Sequence, residues 1–411
     1  MIGKLNLETM PVYKDILNAN RVLKKYIGKT PVYKSNTFSR FVGTNIFLKN
    51  EALQKTGSFK VRGALYKIES LSDEEIKHGI IAASAGNHAQ GVAYAASIRN
   101  VPCTIVMPIN ASPAKIAATR SYNAEVILRG SDYDEAWLAA KEIARYEKKA
   151  IIHAFDDPKV VAGQGSVGLE LLEDIPDLDE VYLPVGGGGL AAGVAIAIKE
   201  KKNNVKIIGV ESRAFPAMKE SIEKGCLQSK KGEFSIADGI AVKSPGKLTF
   251  EIVKRYLDDI VLVDDNSIVK TMFLLMERSK LVIEPAGAAS LAYLMANGHK
   301  NKSKKVVSIL SGGNVDMYLL GQVVAKGLMQ MNRMLKIFVL LPDKPGALKT
   351  VVDGISDLSV NIVEVVHDRL SSNVSAGTAG VYLSLELENT KHSDLLIEFF
   401  KRKEIDFKII T

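Results

Sequence analysis

Lys60 is the residue of this chain whose type and setting point to covalent chemistry. It lies in the run Lys55-Thr56-Gly57-Ser58-Phe59-Lys60-Val61-Arg62-Gly63-Ala64, shortly after a strand-like segment at 45–49. A lysine amine condenses with a carbonyl to give a Schiff base, and it is most useful when burial or neighbouring cations lower its pKa. Arg62 and Lys55 offer neighbouring positive charge, and Phe59 offers an apolar wall. Most lysines are simply solvated, so the Phe59-Lys60 pair needs support from elsewhere in the chain.

Three glycine turns, each at the carboxyl end of a strand-like run, supply it. They are Ser84-Ala85-Gly86-Asn87-His88, Gly186-Gly187-Gly188-Gly189-Leu190 and Ser311-Gly312-Gly313-Asn314. Four glycines before a helix leave backbone N–H groups free to converge on an anion, with the helix dipole assisting. A merely tight strand-to-helix turn is the plainer reading of the same glycines. The second turn also fits a dinucleotide fingerprint, Gly186-x-Gly188-x-x-Ala191. Glu211, at the end of the next strand, stands near the spacing of about 20 residues expected of an acid that binds ribose. A nicotinamide-dependent oxidoreductase is therefore an alternative, although it leaves Lys60 and the other two turns without roles.

These turns need a scaffold that brings strand ends together. Residues 1–45 read as a leading segment with helical stretches. From about 46 to 155 strands alternate with helices at 61–71, 88–98, from 113, and 132–147. The rhythm resumes to about 320, with helices at 163–173, 190–200, 265–280 and 285–297. Such alternation predicts parallel sheets with helices on both faces and a ligand beyond the carboxyl ends of the strands. The expected division is a catalytic domain at 1–321, its smaller subdomain at 46–155, a linker at 322–334 and a third module at 335–411. That module reads β-α-β-β-α-β, the ferredoxin-like order.

Composition bounds the rest. With 411 residues, 47% hydrophobic and 24% charged, the chain is globular and has several domains. No apolar run approaches the ~20 residues of a membrane helix, and Met1-Ile2-Gly3-Lys4-Leu5-Asn6 does not read as a signal peptide. A cytoplasmic protein is expected. Cys103 and Cys226 are its only cysteines, which argues against a disulfide framework or a cysteine zinc site. The net charge of +8 comes from solvated clusters near 199–202, 300–305 and 401–403 without interleaved aromatics, so no nucleic-acid partner is expected. His153, His299, His367 and His392 stand alone and read as structural or surface residues.

Taken in order, KTGSFKVRGA, SAGNHAQG, PVGGGGL and SGGN resemble the fold-type II family of pyridoxal-phosphate enzymes over residues 20–320, and within it the threonine dehydratases. The tail, with LPDKPGAL at 341–348 and VNIVE at 360–364, resembles the ACT domain, a module that usually binds amino acids. The resemblance implies an α/β fold of two open subdomains with the site between them. It implies that Lys60 holds pyridoxal 5'-phosphate as an internal aldimine and acts as base. Phe59 would pack beside the ring, Asn87 would meet the ring's 3′-oxygen, and Ser311 the pyridine nitrogen. Gly186, Gly187, Gly188, Gly189 and Leu190 would donate to the phosphate. Ser84, Ala85, Gly86 and His88 would shape the substrate-carboxylate pocket, with Gly239 near the substrate side chain. The implied reaction is β-elimination of water from L-threonine, and more weakly from L-serine.

Three residues sharpen this expectation. A neutral Ser311 hydroxyl, unlike an aspartate, would not keep the pyridine nitrogen protonated, which favours prompt loss of the β-hydroxyl; capping a following helix is its plainer role. Ala85 stands where related serine racemases place an acid/base serine, so racemisation is expected to be weak. Relatives can hold a cation beside the loop after Glu211, but Ala217 replaces the second acid and Arg213 is close, so no metal is expected. Glu284 is explained by the dipole of the helix it precedes, with a role near the cofactor ring as the family's alternative. An amino-acid effector at the tail, with Asn361 and Gly346 near it, and a homotetramer or homodimer complete the reading. A serine dehydratase or racemase of the same family, or an inactive amino-acid sensor, are further alternatives.

Overall fold

A computed structural model describes residues 10–230, 234–372, 374–388 and 390–410; the run Met1 to Asn6 lies outside them. Two units divide the chain, Met1–Asp316 and Met317–Thr411.

The first unit contains β1 (Val32–Lys34), β2 (Asn45–Asn50), β3 (Ile80–Ala83), β4 (Cys103–Met107), β5 (Glu125–Leu128), β6 (Ala150–Ile151), β7 (Glu180–Pro184), β8 (Lys206–Ser212), β9 (Asp259–Val263) and β10 (Lys305–Leu310). One sheet has the order β1-β2-β10-β7-β8-β9, parallel apart from β1, which runs antiparallel to β2. The other, β5-β4-β3-β6, is parallel throughout. β3, β4 and β7 are buried along their whole length, which is why they read as continuous apolar runs rather than alternations.

Local chemistry starts the helices where the chain needs them. Asp157 accepts from the Lys159 and Val160 N–H groups, and Pro158 occupies the first position of the helix Pro158–Asp174, where its missing N–H costs nothing. Ser112 and Pro113 repeat this device at Pro113–Arg120. The helices Lys60–Glu69 and Asn87–Arg99 start directly after the first glycine-containing segments, so that residues with chemical potential sit at helix N-termini.

The domain boundaries differ from the sequence expectation in two places. β2 pairs with β1 and β10, so 45–50 belongs to the larger sheet and the smaller sheet spans only 80–151. Ile46 and Leu48 are fully buried there, an outcome set by a partner strand some 260 positions away, which alternation alone cannot show. The expected linker at 322–334 is mostly helix, Met317–Gln330, whose Val323 and Gly327 are buried one turn apart. β6, β9 and the helices Ala217–Lys224 and Lys247–Tyr256 had no counterpart in the sequence reading.

The second unit contains β11 (Met334–Pro342), the helix Ala347–Asp357, β12 (Asn361–Asp368), β13 (Thr378–Glu386), the helix Thr390–Arg402 and β14 (Asp406–Ile410). Its sheet is antiparallel with the order β12-β13-β11-β14, the ferredoxin-like arrangement. Ile337, Val339, Leu341, Val351, Ile355, Leu383 and Phe400 form its own core. Among the described residues of the chain, no helix is long and apolar enough to cross a membrane.

Candidate active site

Lys60 is the first residue of its helix, and the loop before it is tightly held. Thr56 and Gly57 both have positive φ, +62° and +70°, a conformation that a non-glycine residue adopts only under constraint. The constraint is the third glycine turn. Phe59 N–H donates to the Ser311 carbonyl at 3.1 Å, and Gly313 N–H to the Gly57 carbonyl at 2.9 Å. Ser58 and Gly312 form an isolated bridge, and Asn314 Nδ2 donates to the Thr56 carbonyl at 2.7 Å. Lys60 and Ser311 are thereby fixed on adjoining backbones. No helix follows Ser311 before Met317, so the capping role does not apply to it.

Lys60 Nζ donates to the Ala154 carbonyl at 3.0 Å and lies 5.2 Å from the centroid of the Phe59 ring. Burial pulls its pKa down to about 8, with Glu284 opposing the shift. Ala154 belongs to the short segment between β6 and the helix Pro158–Asp174, and that segment reaches Lys60, His88 and the glycine loop. The carbonyl of Ile152 lies 3.0 Å from His88 Nε2. His153 Nδ1 accepts from the Phe155 and Asp156 N–H groups. Asp156 caps the helix Lys247–Tyr256 by accepting from Lys247, Leu248 and Thr249 N–H. The Phe155 ring lies against the glycine loop, so close that a Cβ on Gly187 would come within 2.3 Å of it.

The loop itself turns through Gly188 at φ +94° into the helix Gly189–Lys199. Among the described residues, the backbone N–H groups of Gly186, Gly187, Gly188, Gly189 and Leu190 have no acceptor. Thr249 Oγ1 donates to the Gly187 carbonyl at 2.6 Å and holds the loop from outside. Gly239 abuts this loop: a Cβ on Gly186 would lie 2.9 Å from the Gly239 carbonyl oxygen.

The first glycine turn leads into the helix Asn87–Arg99. Ser84 Oγ accepts from Gly86 N–H at 3.1 Å, while the N–H groups of Ala85, Asn87 and His88 have no acceptor among the described residues. His88 is buried, and burial with the nearby Lys60 charge pushes its pKa down to about 3. The ring is neutral, with its proton on Nε2 facing the Ile152 carbonyl and an unpartnered Nδ1. Asn87 Nδ2 donates to Glu284 Oε1 at 2.6 Å, and Asn87 Oδ1 accepts from Asn314 at 2.7 Å.

Three expectations change. Arg62 does not lend charge to Lys60. It is fully buried, with Nε bonded to Glu51 Oε2 at 2.7 Å and Nη1 to Glu170 Oε1 at 2.6 Å; Lys49 adds a bond to Glu170 at 2.5 Å. Two cations and two carboxylates thus cancel one another away from the site, and burial alone lowers the Lys60 pKa. Glu211 does not face a ribose position: its two carboxylate oxygens accept from Met218 and Lys219 N–H, each at 2.9 Å, at the start of the helix Ala217–Lys224. Glu284 makes no capping bond at the helix it precedes. Burial, reinforced by Asp238, pushes its carboxyl up to about 8, the opposite of what a favourable helix dipole would do.

The residues sequence reasoning passed over are Ile152, Ala154, Phe155 and Asn314. The first two act through carbonyls and leave no side-chain signal. Asn314 carried a signal, its place in the third glycine turn, without a role attached to it. Together the groups fit pyridoxal phosphate: a lysine amine of lowered pKa, a run of N–H groups without acceptors at a helix start, a ring-sized apolar wall in Phe59, and an unpaired amide hydrogen on Asn87. Among the described residues, buried Ser58 Oγ, Thr56 Oγ1 and His88 Nδ1 also have no partner, as at a site built for a polar ligand.

A family model described as pyridoxal-phosphate dependent enzyme matches residues 23–312. The curated L-threonine ammonia-lyase of Thermotoga maritima is 44% identical, covering 98% of this chain and 100% of that protein. Among solved structures, threonine deaminase isoform 2 from Solanum lycopersicum is 36% identical with a TM-score of 0.73, covering 77% of this chain and 87% of that one. Maize serine racemase is 33% identical with the same TM-score of 0.73, covering 79% of this chain and 99% of that one. The chain belongs to the pyridoxal-phosphate dependent enzymes, of fold type II.

Proposed function

We propose that the chain is a threonine ammonia-lyase, converting L-threonine to 2-oxobutanoate and ammonia by β-elimination of water, and L-serine more slowly to pyruvate. The observation that carries this reading is the setting of Lys60, with a pKa lowered to about 8, an acceptor-free glycine loop joined to it through Ala154 and Phe155, and Ser311 on the adjoining backbone. Relatives named for this reaction support it.

Pyridoxal phosphate, when bound, supplies the electron sink that makes a Cα proton removable. Lys60 would hold the cofactor through its amine, and its free Nζ would accept that proton. Its lowered pKa keeps a useful fraction of the amine neutral near neutral pH. The glycine loop N–H groups, with Leu190, would bind the phosphate. Asn87 would offer its remaining amide hydrogen to the ring oxygen, Phe59 would flank the ring, and Ser311 would offer a neutral hydroxyl to the pyridine nitrogen. The N–H groups of the Ser84 turn orient the substrate carboxylate, and Gly239 leaves room for its side chain. The Ala85 methyl exchanges no proton, so the opposite face of Cα has no acid at that position and elimination prevails over racemisation.

In the second unit, a cavity of about 310 Å³ is lined by Asp343, Lys344, Gly346, His367 and Arg369 among others. We assign it as the seat of an amino-acid effector of an ACT-like regulatory domain. Asn361 is not part of it; its Nδ2 donates to Glu386 at 3.0 Å. The reading includes a cytoplasmic homotetramer or homodimer acting in isoleucine biosynthesis or threonine catabolism. The test is to purify the protein, reduce it with borohydride and map the modified residue, then assay 2-oxobutanoate and D-serine. Cofactor on Lys60 with 2-oxobutanoate formation is expected. A colourless protein that retains nicotinamide, or efficient D-serine production, would overturn the reading.

A further inference from the structure

Asn314 hydrogen-bonds to two parts of the site at once. Its Nδ2 donates to the Thr56 carbonyl and to Asn87 Oδ1, both at 2.7 Å. The first contact fixes the amide without ambiguity, because a backbone carbonyl can only accept. Nδ2 must therefore face Thr56, and the Asn87 atom beside it must also be an acceptor. Asn87 is left with Oδ1 toward Asn314 and Nδ2 toward Glu284 Oε1, at 2.6 Å. One Nδ2 hydrogen serves Glu284, and the other has no acceptor among the described residues.

The chain makes room for this arrangement at a conformational cost. A Cβ on Gly57 would lie 2.4 Å from Asn314 Oδ1, and both Thr56 and Gly57 hold positive φ. The loop that delivers Lys60 is thus shaped around the Asn314 amide.

We propose that Asn314 is a positioning residue that sets the amide orientation of Asn87, so that a donor rather than an acceptor faces the cofactor's ring oxygen. The inference rests on the reading of Lys60 and Asn87 as cofactor-binding residues. Without Asn314, the Asn87 amide can turn over, because the Glu284 carboxyl, pushed up to about 8, can donate as well as accept, and Oδ1 would then meet an oxygen that is itself an acceptor.

The test is a double-mutant cycle on the full chain, read in two ways: the equilibrium affinity of the apo-protein for pyridoxal phosphate, and the visible absorption band of the loaded protein. Asn314→Ala and Asn87→Ala are each expected to weaken cofactor affinity about tenfold, one hydrogen bond's worth. Both should shift the band, and the double variant should be no worse than either single one. Asn314→Asp, isosteric but unable to donate from both positions, gives the same readout if the alanine variant unfolds. An unchanged band and affinity in the Asn314 variants, or strictly additive losses in the cycle, would overturn the proposal. Failure of the underlying reading is separately visible, since the unmutated protein would then bind no pyridoxal phosphate.

Discussion

Lys60 and Arg62 stand two residues apart on one helix and share no electrostatic environment. Lys60 Nζ turns to the Ala154 carbonyl at 3.0 Å, whereas the Arg62 guanidinium is held between Glu51 and Glu170. Residues i and i+2 of a helix point to nearly opposite sides, so adjacency in sequence separates them in space. One keeps an amine of lowered pKa on a backbone carbonyl, and the other closes a buried ion network.

That network predicts a large stability effect without a catalytic one. Arg62→Ala leaves Glu51 and Glu170 buried with only Lys49 to compensate them, and breaking a buried pair in this way costs about 3–5 kcal/mol. Denaturant unfolding should show the loss, while the turnover of molecules that remain folded changes little. A variant of unchanged midpoint would mean the carboxylates are solvated after all.

The lowered pKa of Lys60 predicts how the apo-protein reacts with carbonyl compounds. Below pH 8 the amine is protonated and inert; above it the amine is free. The rate of imine formation should therefore rise through about pH 8 rather than through the 10.5 of an ordinary lysine. Stopped-flow mixing with pyridoxal phosphate across pH 6–11 would reveal the midpoint, and a rise centred near 10.5 would place Lys60 in bulk-like water.

Gly187→Ala should displace the glycine loop, because the new Cβ would lie 2.3 Å from the Phe155 ring. Cofactor affinity is expected to fall at least about tenfold. Adding Phe155→Ala opens the space and should recover part of the loss, a coupling expected only of residues in contact. Equilibrium dialysis of the four proteins measures it; independent effects would show that the ring does not support the loop.

Ser311→Ala should lower turnover with threonine about tenfold or more, while the melting temperature stays close to that of the parent. Ser311 is buried and opens no helix, so the substitution removes a hydroxyl and little else. Full activity in that variant would remove Ser311 from the mechanism.

How much of this the sequence disclosed follows from what each group uses. The roles proposed for Lys60, Asn87 and Ser311 are side-chain roles, and those of the glycines rest on their freedom to turn, so residue type can betray them. The alternation of strands and helices likewise made both parallel sheets and the ferredoxin-like tail legible. Ile152 and Ala154 act through carbonyls that every residue possesses, and nothing in their identity distinguishes them. Arg62 and Glu284 misled for the reverse reason: their charges were visible, but their partners, Glu170 and Asn87, are brought to them only by the fold. β2 was assigned to the smaller sheet because its partner β10 enters near the end of the first unit.

The segment between β6 and the helix Pro158–Asp174 grips His88, Lys60, the glycine loop and the helix Lys247–Tyr256 within five consecutive residues. Two of its grips, those of Ile152 and Ala154, are main-chain carbonyls and survive a change of side chain. None survives a change of length, since one inserted or deleted residue would put His88, the lysine and the glycine loop out of step at once. Mutation can respell this stretch at its carbonyl positions but cannot lengthen or shorten it.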